Sequence, residues 1–485
     1  MLKMRMYKNG SWEESQNGMR YDVCSPATGQ VIGSVPLASE KDVAQAVRAA
    51  CEAQKVWQRV NPFLRGAMLR RAAEKVEQKL EQIANVMTSE QGKTKNEARQ
   101  EVAKGAQILR YYAEEGERVL GRIIPNDEAN CISNVIYQPI GVAAAITPWN
   151  YPIELLAWKI GGALAAGCAI ICKLPWETPL SPTMFVECVA ACITEAGFPG
   201  SILQTLTGHG SEIGEALAAH PDVRRLAFTG STSIGKKLAV YQSQLKHISL
   251  ELGGSLPMLV FQDCDIEAAV KGCVRRSFRN NGQICIAINR VYVHETIYET
   301  FLKWLVRQVK ALRIGDTSLR EDVDLGPMCT AKGVEKVRQH VEDAKLRGAR
   351  ILTGGKRPEG TAYQNGFFYE PTIIADATQE MQIMQEETFG PAIGVAPFKT
   401  IRHAIDLAND TPYGLAAICY TKNIDVAYQV ATGVDAGNIA INNVDAGVLN
   451  APYGGWKDSG IGCEHGREGL FEYLHAKHIR IRFEL

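Results

Sequence analysis

Residues 142–175 read VAAAITPWNYPIELLAWKIGGALAAGCAIICKLP, and their rhythm decides the fold. A short apolar run ends at a Thr-Pro-Trp-Asn turn, a helix-like segment follows, and a second apolar run closes on Leu-Pro. The same beat continues through SPTMFVECVAACITEAG, ILQTLTG, SEIGEALAAHP and RLAFTGS, which ends at Ser231. Short apolar runs alternating with amphipathic helical segments build a parallel sheet covered by helices on both faces, a layout typical of dinucleotide binding.

A second alternating block runs from Leu252 to about Gly437, with strand candidates PMLVF, NRVYVH and LAAICY and helices such as IYETFLKWLVRQVKAL. It is long enough for its own core. The first hundred residues read mainly as helices, in KDVAQAVRAACEAQKVWQ and RGAMLRRAAEKVEQKLEQIANVMTSEQGK. Two extended segments, GRIIPNDEANCISNVIYQP and AKHIRIRFEL, lie outside both blocks and are expected to pair with each other or with another subunit. The expected organisation is α/β: a Rossmann-like cofactor domain from residues 1–120 and 140–251, an α/β catalytic domain at 252–450, and a small β oligomerisation arm from 121–139 and 451–485.

Composition narrows the function. The 485 residues are 46% apolar and 22% charged, the balance of a globular enzyme, and Lys+Arg and Asp+Glu are equal at 53. With no net charge, nucleic acid and anionic membranes are poor partners and a small molecule is a better one. The start, MLKMRMYKNGSWEE, lacks the apolar core of a signal peptide, and the longest apolar run, Ile160 to Cys172, is too short to span a bilayer. A soluble cytoplasmic protein is expected. Thirteen cysteines, an odd and scattered set, argue for free thiols in a reducing compartment. Cys168 with Cys172, and Cys188 with Cys192, lack zinc-site spacing, so no metal is expected.

Individual motifs carry modest weight alone. FTGSTSIG at 228–235 follows a strand-like run and opens a helix: Gly230 lets backbone approach an anion, and Ser231 can cap the helix or donate to phosphate. GHGSEIG at 208–214 misses the dinucleotide spacing by one residue. Glu251, followed by Leu252 and two glycines, is either a solvated turn residue or a general base. Cys285 follows Asn281-Gly282-Gln283-Ile284; it fits a buried core thiol as well as a nucleophile, which would need nearby donors to lower its pKa.

Their order decides between these readings. TPWNYP at 147–152, FTGSTSIG, ELGG at 251–254, NNGQIC at 280–285, EETFGP at 386–391 and APYGGWKDSGIG at 451–462 fall in sequence along one chain. From end to end the chain resembles the aldehyde dehydrogenase superfamily. That resemblance implies Cys285 as nucleophile, Asn150 with the Cys285 backbone N–H as oxyanion donors, and Glu251 as the base that activates hydrolytic water. It implies an NAD or NADP site formed by Trp149, Lys173, Trp176, Gly230, Ser231, Leu252, Glu387 and Phe389, and a homodimer or homotetramer. A non-catalytic descendant would be expected to lose Cys285, Glu251 or Asn150, and all three are present.

Two segments depart from the family pattern. After Lys173 the pattern resembles K-P-A-E, with the Glu on the ribose hydroxyls; here Trp176 holds that place and Glu177 follows, with no added cation for a 2′-phosphate, so NAD is favoured. In the substrate tunnel, Tyr151 and Trp158 resemble the aromatic walls of betaine and aminoaldehyde dehydrogenases. Arg279 matches one arm of the carboxylate clamp of succinate-semialdehyde dehydrogenases, whose second arm falls at Trp158 and is missing. Glu154 is expected to pair with Arg279 or face solvent. Tyr453 joins the substrate wall. The favoured substrate is a small polar aldehyde with an anionic group, such as a semialdehyde, with an aminoaldehyde second.

Overall fold

The structure is a computed structural model that describes residues 1–484. Two large sheets organise it. The first has six strands in the order Leu203–Leu206, Ile170–Lys173, Ala143–Ile146, Arg225–Thr229, His247–Glu251 and Gly460–Ile461. The first five are parallel and the last runs antiparallel. AAAI and IICK are buried at every position because helices cover both faces of the sheet, which is why they read as unbroken apolar runs. Helices Glu154–Ala166 and Leu180–Glu195 bridge successive strands, and Cys168, Cys172, Cys188 and Cys192 pack in the same core.

The second sheet has seven strands in the order Arg350–Thr353, Thr372–Ala375, Ala392–Phe398, Ile288–His294, Leu256–Val260, Ala416–Tyr420 and Asn438–Ile441. Only the edge strand Arg350–Thr353 is antiparallel. Three of its strands are those expected from PMLVF, NRVYVH and LAAICY. Among the described residues, no helix is long and apolar enough to cross a membrane.

The two extended segments pair with each other. Leu474–Arg482 lies antiparallel to Cys131–Pro139 in continuous register from Leu474↔Pro139 to Arg482↔Cys131, with Arg122–Ile124 on the other side. Ile123, Ile132, Ile136, Ile481 and Phe483 are exposed on this small sheet.

The amino-terminal region differs from its helical reading. Residues 2–36 form five short strands, which carry too few residues each for a periodic signal. The long amphipathic run after them is two helices, Pro62–Gln78 and Leu80–Gln91, because Lys79 leaves helical geometry at φ −99° and ψ 9°.

A buried ion pair ties the strand segment to the first long helix. Lys8 Nζ donates to Asp42 Oδ1 at 2.6 Å, and Asp42 also accepts from Ser15 Oγ at 2.7 Å and from the Ser39 backbone N–H and Oγ at 2.9 and 2.8 Å. Burial pushes the carboxyl up, but Lys8 and the three serine donors outweigh it and hold the pKa down at about 2. Because the folded-state pKa is depressed, the contribution is present above the unfolded value of about 3.9 and is lost as pH falls towards the folded value. Asp42→Asn, which leaves Lys8 without its main counter-charge, is expected to cost about 3–5 kcal/mol at pH 7. Thermal melts should show the gap from wild type narrowing between pH 5 and 3; a gap that does not change with pH contradicts the assignment.

Candidate active site

The loop before Cys285 is held in a conformation that residues with side chains seldom adopt. Asn280, Asn281 and Gly282 all have positive φ, at 50°, 54° and 68°. Such residues cost about 1–3 kcal/mol each unless glycine occupies the position, and Asn tolerates the region better than most. Side-chain amides supply the compensation. Asn280 Nδ2 donates to the Asn150 carbonyl at 3.1 Å, and its Oδ1 accepts from Gln91 Nε2 at 2.9 Å. Asn281 Nδ2 donates to the Gly326 and Pro327 carbonyls, and Gln283 Oε1 accepts the Cys329 N–H at 2.9 Å. Gly282 is also fixed by space: a Cβ there would lie 2.4 Å from the Gly390 carbonyl oxygen.

This loop presents Cys285 to a cavity of about 350 Å³, whose walls include Asn150, Tyr151, Trp158, Arg279 and Tyr453. Asn150 Nδ2 donates to the Gln283 carbonyl at 3.1 Å, which orients the amide and leaves its second N–H free of that bond. The expectation that local donors would depress the thiol pKa is not met. Burial is the dominant influence and pushes the thiol up to about 12; the Tyr453 hydroxyl, 3.7 Å from Sγ, works the other way, while the Glu387 and Glu251 carboxylates add to the rise.

Glu251 ends the strand His247–Glu251, between Thr229 and Gly460. It is not part of the cavity wall; it is buried behind it, and neither carboxylate oxygen has a hydrogen-bond partner. Burial raises its pKa well above the usual carboxylate range, Glu464 adds to this, and Lys159 opposes it. Lys159 Nζ is fully buried and donates to Thr229 Oγ1 and to Glu464 Oε1, both at 2.6 Å. Lys159 and Glu464 were not found from sequence, although a single lysine in the apolar helix Glu154–Ala166 is a usable signal. His465, also missed, stacks on Trp158 at 3.6 Å and on Tyr453 at 4.7 Å. Burial, followed by the charges of Lys104 and Lys159, pushes its pKa down to about 3, so the ring is neutral.

A second cavity of about 1030 Å³ opens above the carboxyl ends of the six-stranded sheet. Trp149, Lys173, Trp176, Gly230, Ser231 and Phe389 line it. Gly210, Ser211 and Gly214 of the GHGSEIG segment line it too, although that segment was a weak candidate. Trp149 and Phe389 meet edge to face at 5.5 Å. Lys173 is pushed down to about 8 by burial, with Glu177 opposing. One expectation is corrected here. Ser231 precedes the helix Thr232–Ala239 but its side chain makes no capping bond, its Oγ lying 3.3 Å from Ser233 Oγ. Leu252 and Glu387 do not line the cavity. Leu252 packs onto Gly235, where a Cβ would come within 2.2 Å of it, and Glu387 accepts the Gly254 N–H at 3.0 Å, with burial raising its carboxyl to about 7.

Trp176 is clamped between Tyr21 and His209, with ring centroids 3.8 Å away on each side. Both of its faces are therefore covered, and it offers the cavity an edge. In the smaller cavity, the faces of the aromatic residues are partly taken as well. Lys93 Nζ lies 4.0 Å over the Tyr151 ring, and His465 covers Trp158. Arg279 donates to Gln100 Oε1 at 3.1 Å. Glu154 neither pairs with Arg279 nor points away; it lines the cavity, with its carboxyl pushed up by burial first and Glu101 next.

Comparison with known proteins fits this geometry. The model of the aldehyde dehydrogenase family matches residues 12–479. The chain is 39% identical over 482 residues to the glutarate-semialdehyde dehydrogenase of Pseudomonas putida, covering 99% of this chain and 98% of that one. It is 38% identical to the NADP+ succinate-semialdehyde dehydrogenase of Escherichia coli, covering 99% and 98%. A crystal structure of betaine aldehyde dehydrogenase from Staphylococcus aureus in complex with NAD+ superposes with a TM-score of 0.95 at 35% identity, covering 99% and 95%. A family model over residues 12–479 and relatives 35–39% identical over nearly the whole chain show that the chain belongs to the aldehyde dehydrogenase family.

Proposed function

We propose that the protein oxidises a small aldehyde with an anionic group, of the semialdehyde type, to its carboxylic acid with NAD as acceptor. The observation that carries this reading is the placement of Cys285 and Asn150 in one small cavity with Arg279, while Glu251 lies close enough for its charge to act on the sulfur. Sγ passes its proton to water in the cavity as it attacks the aldehyde carbon, and the oxygen that becomes negative is met by Asn150 Nδ2 and the Cys285 N–H. Each such donor is typically worth about 3–4 kcal/mol in the transition state. The larger cavity, with Trp149, Lys173, Gly230, Ser231 and Phe389 on its wall, would hold a nicotinamide cofactor that would accept the hydride, and Cys285 would then carry the acyl group as a thioester. Water then adds to the thioester carbon, its proton passes to Glu251, and the acid departs as the thiol re-forms.

Glu251 suits this task for two physical reasons. Burial raises its proton affinity above the usual carboxylate range, so its ionised form is a stronger base than an exposed carboxylate. Its oxygens hold no hydrogen bond, so turning towards Cys285 breaks none. The Lys159–Glu464 pair behind it offers an exit for the proton.

The larger cavity supports the cofactor assignment: it is spacious, runs along a strand-to-helix turn at Gly230 and Ser231, and carries a buried cation at Lys173. Glu177, beside Trp176, lines the same wall and opposes a 2′-phosphate. For the substrate, the covered rings of Tyr151 and Trp158 count against an ammonium-bearing aldehyde, whereas Arg279 has no carboxylate partner among the described residues. The relatives named for glutarate and succinate semialdehydes point the same way.

The thirteen cysteines are all free thiols, in keeping with work in a reducing cytoplasm. The apolar side chains left exposed on the sheet of Leu474–Arg482 favour a homodimer or homotetramer built across that sheet. Light scattering should give a multiple of the 53.1 kDa chain mass; a monomer contradicts this arm of the proposal.

In stopped-flow measurements with succinate semialdehyde and NAD, Glu251→Gln should keep a burst of NADH and lose about 100-fold or more in steady turnover, while Cys285→Ala should show neither phase. Unchanged turnover in Glu251→Gln removes it as the base. Wild type should favour NAD over NADP in kcat/KM, and Glu177→Gln should narrow that ratio by about tenfold. A ratio that is the same in both proteins excludes Glu177 from cofactor choice.

A further inference from the structure

The anion clamp suggested by Arg279 lacks a second arm in the sequence, because Trp158 stands where the relatives' other arginine is expected. The cavity nevertheless contains another cation. Lys104 lines the same wall as Cys285, Trp158 and Arg279. It comes from the helix Lys95–Glu117, one turn after Gln100 and Glu101, so the three share a face directed at the cavity.

Lys104, unlike its neighbours Glu101 and Arg276, has no partner. Glu101 is taken by Lys93, and Arg276 donates to Asp445 at 2.8 Å. Among the described residues, Lys104 makes no ion pair and no hydrogen bond, although it is half-buried. Its charge reaches the region of Trp158: it acts on His465, which stacks on the Trp158 ring, and on Glu154 at the start of the same helix. An ammonium at the cavity wall that holds no ion pair is available to pair with an incoming anion.

We propose that Lys104 is the second cationic arm of the substrate site and that, with Arg279, it holds the anionic end of the aldehyde while the carbonyl faces Cys285. The positive charge missing at position 158 is thereby supplied from a different helix. Trp158, held by His465 on one face and meeting Tyr112 edge to face at 5.7 Å, forms a rigid apolar wall beside the substrate's methylenes. Glu154 is the competing group: its carboxylate sits in the same cavity and weakens the clamp when ionised. The assignment rests on the proposed preference for an anionic aldehyde.

The test compares kcat/KM for succinate semialdehyde and for butanal, an uncharged aldehyde of equal chain length, in wild type, Lys104→Met, Lys104→Arg and Glu154→Gln. Lys104→Met should lose about 10–100-fold with succinate semialdehyde, mainly through KM, and stay within about twofold of wild type with butanal. Lys104→Arg should recover most of the loss, and Glu154→Gln should lower KM for succinate semialdehyde alone. Equal losses on both aldehydes, or no loss on the anionic one, overturn the role of Lys104 while leaving the substrate class intact. A wild type that does not prefer succinate semialdehyde to butanal overturns the substrate class, and the clamp with it.

Discussion

Desolvation where Cys285 and Glu251 meet is the constraint on which the site depends. Removing a thiol and a carboxyl from water raises both pKa values, so each resting group is held towards its neutral form. In the proposed reaction the thiol gives up its proton as it attacks, and burial raises the proton affinity of the carboxylate that serves as base. The same dry surroundings strengthen the donors that meet the developing oxyanion, since a charge forming there has no water to compete for. Reactivity is thus deferred until the substrate and cofactor complete the site.

The fold supports this by fixing some parts firmly and leaving one loose. Three consecutive left-handed residues aim Cys285, and a web of amides from Gln91, Asn150, Asn280, Asn281 and Gln283 holds them in place. Lys159 is locked between Thr229 and Glu464. Both carboxylate oxygens of Glu251 are without partners, although it is anchored at a strand end between two neighbours. In the proposed reaction, a firmly held nucleophile beside a base that is free to turn suits attack by the thiol followed by delivery of water to the same carbon.

Much of this was legible in the sequence, and for identifiable reasons. The apolar runs from Val142 to Ser231 gave the parallel sheet because burial on both faces leaves strands without polar positions. Motif order singled out Cys285, Glu251 and Asn150 as candidates, whose residue types alone fit a core thiol or a surface carboxylate equally well. What was not legible depends on three-dimensional closure. The partnership of Lys159 with Glu464 spans 305 positions, and no local pattern signals it. The strands within residues 2–36 are too short for a period, and the sandwich of Trp176 between Tyr21 and His209 joins three distant segments. The packing of Leu252 on Gly235 and the bond from the Gly254 N–H to Glu387 are likewise invisible to a local pattern.

The central claim is that the substrate's acyl group passes through Cys285 and is released by Glu251. Mass spectrometry of Glu251→Gln, acid-quenched during reaction with succinate semialdehyde and NAD, tests it most directly. The account predicts a succinyl group on the peptide that carries Cys285, in near-stoichiometric amount and absent when NAD is left out. An unmodified Cys285 peptide in a sample that has produced NADH, or an acyl group on a different cysteine, would contradict it.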